Sequence, residues 1–365
     1  MACQPSQPLY STFTLLFIIF RTEVLMDLIN CIKPAYFKQD SANLDSGLVS
    51  VSLKSVNQRV GAVATSDKSS ELGMEMKKFQ KRARIIIIAG INLLLLYALA
   101  CTYLWAEQSH FIFMPRREIK KTPAIYQLPY EDIYVSIDSP NGQKERIHGW
   151  WIPAHTPSDK TLLYLHGSAL NIGANVDHAR RFHNLGFSVF LVSYRGYGLS
   201  DGEFPSEAQM YADAEAAWNY LVKQKHINPD HIFIYGHSIG GAIAIDLATR
   251  HPDAAGLIVE ATFTSIFDMA RLKYRYRLLP MGLIVEQKFD SQKKVGRLKI
   301  PALFIHGTKD ALVPPEMSRR LYEKTLSPKR LTFIEGGGHN NSAAVGGEDY
   351  LRSIRQFEEF VSQKS

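Results

Sequence analysis

Cysteine is scarce in this sequence: three occur in 365 residues, Cys3, Cys31 and Cys101, and none follows Cys101. The region after Ala106 therefore has no internal disulfide, no thiolate nucleophile and no cysteine metal site. That scarcity fits an oxidising or a reducing compartment equally. Internal repeats are absent, as are helix-turn-helix, zinc-knuckle and basic-helix patterns. The net charge of +7 thus carries no argument for nucleic acid. One stretch, residues 85–106, is empty of charge altogether. Against these absences stands an apolar content of 46%, ordinary for a globular protein and enough for a sizeable core. The length suits one large domain with appendages, or two modest ones.

Residues 1–73 do not read as a domain. The apolar run from Leu15 to Phe20 is too short to span a bilayer, and Arg21 and Glu23 close it. From Gln39 to Leu72 the composition is Ser, Val, Asn, Gly and Lys with weak periodicity. That is the pattern of a disordered segment, or of an extension upstream of a start at Met74 or Met76. Residues 74–84 hold a basic run, Lys77, Lys78, Lys81, Arg82 and Arg84, directly before the 22 uncharged residues 85–106. As a helix these residues span roughly 33 Å, enough for a bilayer core. Tyr103 and Trp105 fall where an aromatic belt belongs. Lys and Arg are denser before the run than after it, where Arg116, Arg117, Lys120 and Lys121 lie further out. The positive-inside rule then predicts a cytoplasmic N-terminus and the rest of the chain, extracytoplasmic, across the membrane. Two other fates are open: cleavage after Ala98-Leu99-Ala100, giving a secreted or periplasmic protein, or lipidation at Cys101. The unbroken apolar continuation past Cys101 favours a single-pass signal anchor.

Residues 107–129, with Pro115, Pro123 and Pro129, read as a linker. From 130 to 365 strand and helix patterns alternate. A hairpin is expected around Pro140-Asn141-Gly142, followed by short apolar strands beginning near Thr161, Phe187, His231, Gly256, Ala302 and Leu331. Helical patterns lie between them, the clearest from Pro205 to Gln224. Such alternation predicts an α/β fold: a mostly parallel, doubly wound sheet flanked by helices and preceded by one transmembrane helix.

One strand pattern, Ile232-Phe233-Ile234-Tyr235, runs straight into Gly236-His237-Ser238-Ile239-Gly240, after which helix formers begin. A strand, a Gly-x-Ser-x-Gly turn and a helix form a nucleophile elbow, whose tightness demands small residues on either side of the serine. A serine hydroxyl is a poor nucleophile at neutral pH and needs a base, which in turn needs an orienting acid. Asp310 follows the strand-like Ala302–His306, and His339 follows a strand and three glycines. The order Ser238, Asp310, His339 supplies nucleophile, acid and base. Glu260, at the end of the preceding strand, is a rival acid, and His306 is expected to pack and hydrogen-bond at its strand end. The oxyanion requires two backbone donors: the amide of Ile239, and that of Ser168 in the loop after Leu163-Tyr164-Leu165-His166-Gly167. His166 is expected to shape that loop.

These motifs, together with Tyr194-Arg195-Gly196-Tyr197-Gly198-Leu199-Ser200-Asp201-Gly202, resemble those of α/β-hydrolase fold serine hydrolases. The likeness covers roughly two-thirds of the chain and is greatest to the compact, lid-poor branch of membrane-anchored lysophospholipases, protein depalmitoylases and bacterial relatives. Many relatives carry Asn where this chain has Ser168, which bears on substrate fit more than on a backbone donor. Arg195 and Asp201 are expected to stabilise their loop. The insert 262–299 is either a short cap that borders an acyl pocket and touches an anionic lipid surface, or a helix packed on the sheet with its cations solvated. The resemblance implies hydrolysis of carboxylic ester or thioester bonds in acyl or lipid substrates, with no metal and no cofactor. A serine peptidase and a non-catalytic binding protein are the alternatives; no propeller or gating domain precedes the catalytic region, and the three chemistry-bearing residues are all present.

Overall fold

The computed structural model describes residues 57–138, 142, 144–156 and 158–363. The first 56 residues, expected to lack a fold, lie outside the described residues, as do Pro140 and Asn141 of the expected hairpin turn. The described residues divide into two units at the Arg82–Ala83 boundary.

Helix α1 runs Asn57–Ala106. Residues 57–73, expected to be disordered or an extension upstream of the start, are helical. No proline interrupts residues 57–106, and once an apolar helix is nucleated each further residue adds a hydrogen bond at little cost, so polar residues with weak periodicity can continue it. The stretch from Ser70 to Ala106 is long and apolar enough to cross a membrane.

Residues 107–129, expected as a linker, carry short ordered elements. They contain helix α2 (Gln108–Ile112) and strand β1 (Met114–Pro115), then a 3-10 turn over Pro123–Tyr126. Phe113 is buried, edge-on to Phe204 and Phe289. The Asn171 side chain donates to the carbonyls of Arg116 and Glu118 at 3.0 and 2.7 Å. Proline removes ladder donors but leaves carbonyls free, and a side-chain amide from another segment fills that role here.

The main sheet opens with the hairpin β2 (Glu131–Asp138) and β3 (Lys144–Ile152). There follow β4 (Thr161–Leu165), the two-residue β5 (Ala169–Leu170, paired with β1), helix α3 (Val176–Asn184), β6 (Ser188–Val192) and helix α4 (Glu207–Asn219). Next come β7 (Ile232–His237), α5 (Ile239–Arg250) and β8 (Gly256–Glu260). The insert carries α6 (Ile266–Leu272), α7 (Met281–Ile284) and α8 (Ser291–Lys294). The chain closes with β9 (Ala302–Gly307), α9 (Pro315–Lys324), β10 (Lys329–Ile334) and α10 (Ser342–Ser362). Eight strands lie in the order β10-β9-β8-β7-β4-β6-β3-β2, parallel except where β3 meets β2 and β6.

Strands β4, β6 and β8 are buried at every residue, which is why they read as unbroken apolar runs rather than alternations. One face is covered by Met210, Ala214, Trp218, Ile243 and Leu247 from α4 and α5. The other is covered by Ala179, Phe182, Tyr350, Ile354 and Phe357 from α3 and α10. Functional side chains of a parallel sheet collect at its carboxyl edge, and the loops after β4, β7, β9 and β10 all lie there.

Candidate active site

Ser238 sits between β7 and α5 with φ 55° and ψ −120°, a conformation costly for any residue with a Cβ. Close approach of backbones forces it. A side chain at Gly236 would collide with the Gly240 carbonyl, and one at Gly240 with the Leu165 carbonyl. The strained turn is held from outside: the Ser238 N–H donates to the Glu260 carbonyl at 2.9 Å, and Thr262 donates its hydroxyl to the Ser238 carbonyl at 2.8 Å.

Three predicted side chains come together. His339 Nε2 lies 3.0 Å from Ser238 Oγ, and His339 Nδ1 lies 2.7 Å from Asp310 Oδ2. The carboxylate can only accept, so Nδ1 carries the proton and Nε2 is left to accept from the hydroxyl. The loops that carry Asp310 and His339 are tied together by Lys309 N–H donating to the Gly337 carbonyl at 2.8 Å. Asp310 Oδ1 accepts from the amides of Leu312 and Val313, both at 2.9 Å. Burial alone would raise the Asp310 pKa; hydrogen bonds from His306, His339 and the Val313 amide outweigh it and hold the carboxyl well below the usual carboxylate range.

His306 does pack and hydrogen-bond at the end of its strand, as expected, and it also reaches Asp310. Its Nε2 proton is shared between the Val313 carbonyl at 2.9 Å and Asp310 Oδ2 at 3.2 Å, and Ser318 donates to its Nδ1 at 2.7 Å. Glu260, the rival acid, faces elsewhere. Its carboxylate accepts from Tyr235 and Tyr350 at 2.8 and 2.7 Å, with His178 3.3 Å away. Desolvation pushes against the ionised Glu260, but His178, His237 and Tyr350 bring its pKa down to about 2.

The motif assigns no role to His237, the x between Gly236 and Ser238. Its Nε2 donates to the carbonyl of His339 at 2.8 Å, so the residue beside the serine holds the backbone of the residue opposite. Desolvation lowers its pKa to about 4, with Glu260 pulling against it, so it stays neutral at pH 7. Its position in the elbow was visible in the sequence; its partner, in another loop, was not.

Ile239 opens α5, where the N–H has no intrahelical acceptor. The loop after β4 lies alongside: a Cβ on Gly167 would stand 3.5 Å from the Ser238 Cβ. The Ser168 carbonyl accepts from the Tyr197 hydroxyl at 2.7 Å and the Met114 N–H at 2.9 Å, which fixes the peptide plane that follows Ser168. His166 is fully buried against Tyr194 and Tyr197, donates from Nδ1 to the Gly167 carbonyl at 2.7 Å, and has its pKa lowered by burial to about 4. Arg195 pairs with Asp213 at 2.7 Å and Glu145 at 2.9 Å, and Asp201 with the Arg146 side chain at 3.2 Å, away from the serine. Among the described residues, no group of three or more His, Cys, Asp or Glu side chains is arranged to hold a metal ion.

A strained serine above a doubly wound sheet, with a histidine and a buried acid in line behind it, is the architecture of an α/β hydrolase. A family model described as serine aminopeptidase, S33, matches residues 156–279 and 281–341. An uncharacterized protein of Mycobacterium tuberculosis is 32% identical over 279 residues, 76% of this chain and 96% of its own. The α/β hydrolase domain-containing protein WAV2 of Arabidopsis thaliana is 31% identical over 302 residues, 76% of this chain and 93% of its own. Among solved structures, the Pyrococcus furiosus esterase Pf2001 shares the fold with a TM-score of 0.57 at 19% identity, covering 68% of this chain and 97% of that one. The chain belongs to the α/β-hydrolase family and is a hydrolase.

Proposed function

We propose that the chain is a membrane-anchored serine hydrolase that cleaves ester or thioester bonds of acyl substrates through an acyl-enzyme on Ser238. The observation that carries the reading is the continuous line from Ser238 Oγ through His339 to Asp310, at 3.0 and 2.7 Å. In this reading Ser238 Oγ attacks the acyl carbon while His339 Nε2 takes its proton. The oxygen of the tetrahedral intermediate gains negative charge against the amides of Ile239 and Ser168. Collapse expels the alcohol or thiol, which takes the proton from His339. Water, deprotonated by the same imidazole, then releases the acid and restores Ser238. Asp310 stabilises the imidazolium that forms twice in the cycle. Residues 85–106 serve as the membrane anchor, with the catalytic domain extracytoplasmic.

The family description favours amide hydrolysis as a second reading. An aminopeptidase must bind a free ammonium, and Glu260 and Asp310, the buried carboxylates at the end of β8 and after β9, are already occupied by tyrosines and imidazoles.

A fluorophosphonate probe is expected to label the wild type and leave Ser238→Ala unlabelled; equal labelling of both would sink the reading. Comparing p-nitrophenyl esters of short and long acids with aminoacyl amides separates esterase from peptidase.

A further inference from the structure

The end of α1 is tied to the insert. Tyr97 donates its hydroxyl to the Leu278 carbonyl at 2.9 Å, and the Trp105 indole donates to the Glu286 carboxylate at 2.8 Å. Just past the helix, the Gln108 side-chain oxygen accepts from the N–H groups of Glu286 and Gln287 at 2.8 and 3.0 Å. Tyr97 and Trp105 are separated by about 12 Å along the helix axis, given its rise per residue. The strap from Glu286 back to Leu278 therefore descends alongside α1 by about that distance.

If residues 85–106 span a bilayer, Trp105 marks the interface and Tyr97 lies below it, in the acyl region. The strap at that depth is dressed accordingly. Leu278, Leu283 and Tyr274 are 88%, 82% and 80% exposed. Arg271, Lys273 and Arg277 are exposed beside them on long stems that can bring their charges to phosphate level while the carbon chains stay in the apolar layer. No Asp or Glu occurs between Asp268 and Glu286. Apolar tips with a wholly cationic surround match the boundary between acyl chains and anionic headgroups.

We propose that residues 271–283 insert into the headgroup–acyl boundary of an anionic bilayer beside α1, and that the enzyme takes an amphiphilic acyl substrate from that bilayer. The proposal rests on the membrane-spanning and serine-hydrolase readings above. The insert begins at Thr262, whose hydroxyl holds the Ser238 carbonyl, so a hydrogen bond joins the base of the insert that carries the strap to the backbone of the nucleophile.

The test uses the full chain with Cys3, Cys31 and Cys101 replaced by serine, in nanodiscs of phosphatidylcholine and phosphatidylglycerol. A fluorophore is attached at Leu278→Cys, Leu95→Cys or Glu359→Cys, and quenching by doxyl-labelled phosphatidylcholine is read. Quenching at 95 and 278 but not at 359 is expected. Quenching at 95 with none at 278 overturns insertion while leaving the span intact; none at 95 removes the span and the proposal with it. For substrate delivery, Leu278→Glu with Leu283→Glu is expected to lower kcat/KM on p-nitrophenyl palmitate dispersed in the same lipid by about tenfold or more, through lost burial of both side chains. Turnover of p-nitrophenyl acetate in solution should stay unchanged. Equal activity on both substrates overturns the delivery claim, whereas a wild type inactive on both overturns the hydrolase reading on which it stands.

Discussion

His339 is gripped at three points: Asp310 on its Nδ1, Ser238 on its Nε2 and His237 on its carbonyl. Each grip has a separate consequence. Asp310→Asn presents an amide that can donate to Nδ1 and so favours the wrong tautomer; kcat should fall on the order of 10³- to 10⁴-fold. His306 complicates the outcome, because its Nε2 also uses Asp310 Oδ2 and the Val313 carbonyl. A folded Asp310→Asn, verified by circular dichroism, is therefore a condition of the measurement. His237→Phe removes the donor to the His339 carbonyl and keeps an aromatic ring beside the imidazole, whose centroid lies 5.1 Å from that of His237. About a tenfold loss in kcat at near-constant KM is expected, as befits a residue that positions the base. A rise in KM alone would argue that His237 contacts substrate instead. Neighbouring Glu260 shows why acids at strand ends are ambiguous in a sequence: its carboxylate is the acceptor of two buried tyrosines, and both are needed to see that it has no free edge.

At the scale of elements, the elbow is a packing problem before it is a catalytic one. Strand β7 meets α5 with the backbone of β4 pressed against the turn, and Gly240 is where the Leu165 carbonyl would meet any side chain. Gly240→Ala should destabilise the fold by about 1–3 kcal/mol, the range for overpacking a well-filled site, read from the urea midpoint. A neutral result would show that the turn can open. The strands, the helices between them and the elbow were legible because apolar runs, small residues and periodicity are local signals. Residues 107–129 were not. Their order comes from Asn171, Phe204 and Phe289, partners distant in sequence, while their own composition offers prolines and charges. Residues 57–73 are the opposite case: their own pattern is weak, and helix propagation from residues 85–106 accounts for their helical backbone.

For the whole molecule, the buried histidines set a pH limit. His166 and His237 have pKa values near 4 in the fold, against about 6.5 when unfolded. Between those values the unfolded chain binds more protons, so their contribution is complete above about pH 6.5 and is lost as the pH falls towards 4. Asp213, raised by burial to about 6, takes up a proton in the fold first and offsets one of them. The net loss from pH 7 to about pH 4.5 should be roughly 1–3 kcal/mol by chemical denaturation, and a stability that rises over that interval would contradict this account. Glu260 and Asp310, both with depressed pKa values, withdraw their stabilisation only below about pH 4, as carboxylates lower in the fold than in the open chain must. The sequence by itself determined that Ser238, Asp310 and His339 reach one edge of the sheet, because a parallel sheet delivers successive strand ends to one edge and the turn at Ser238 tolerates few residue types. Only the tertiary structure decided that His306 shares Asp310, that His237 holds His339, that Glu260 is turned away, and that Leu278 lies beside Tyr97. Those are contacts between loops, set by the three-dimensional register of the sheet, and no spacing along the chain encodes them.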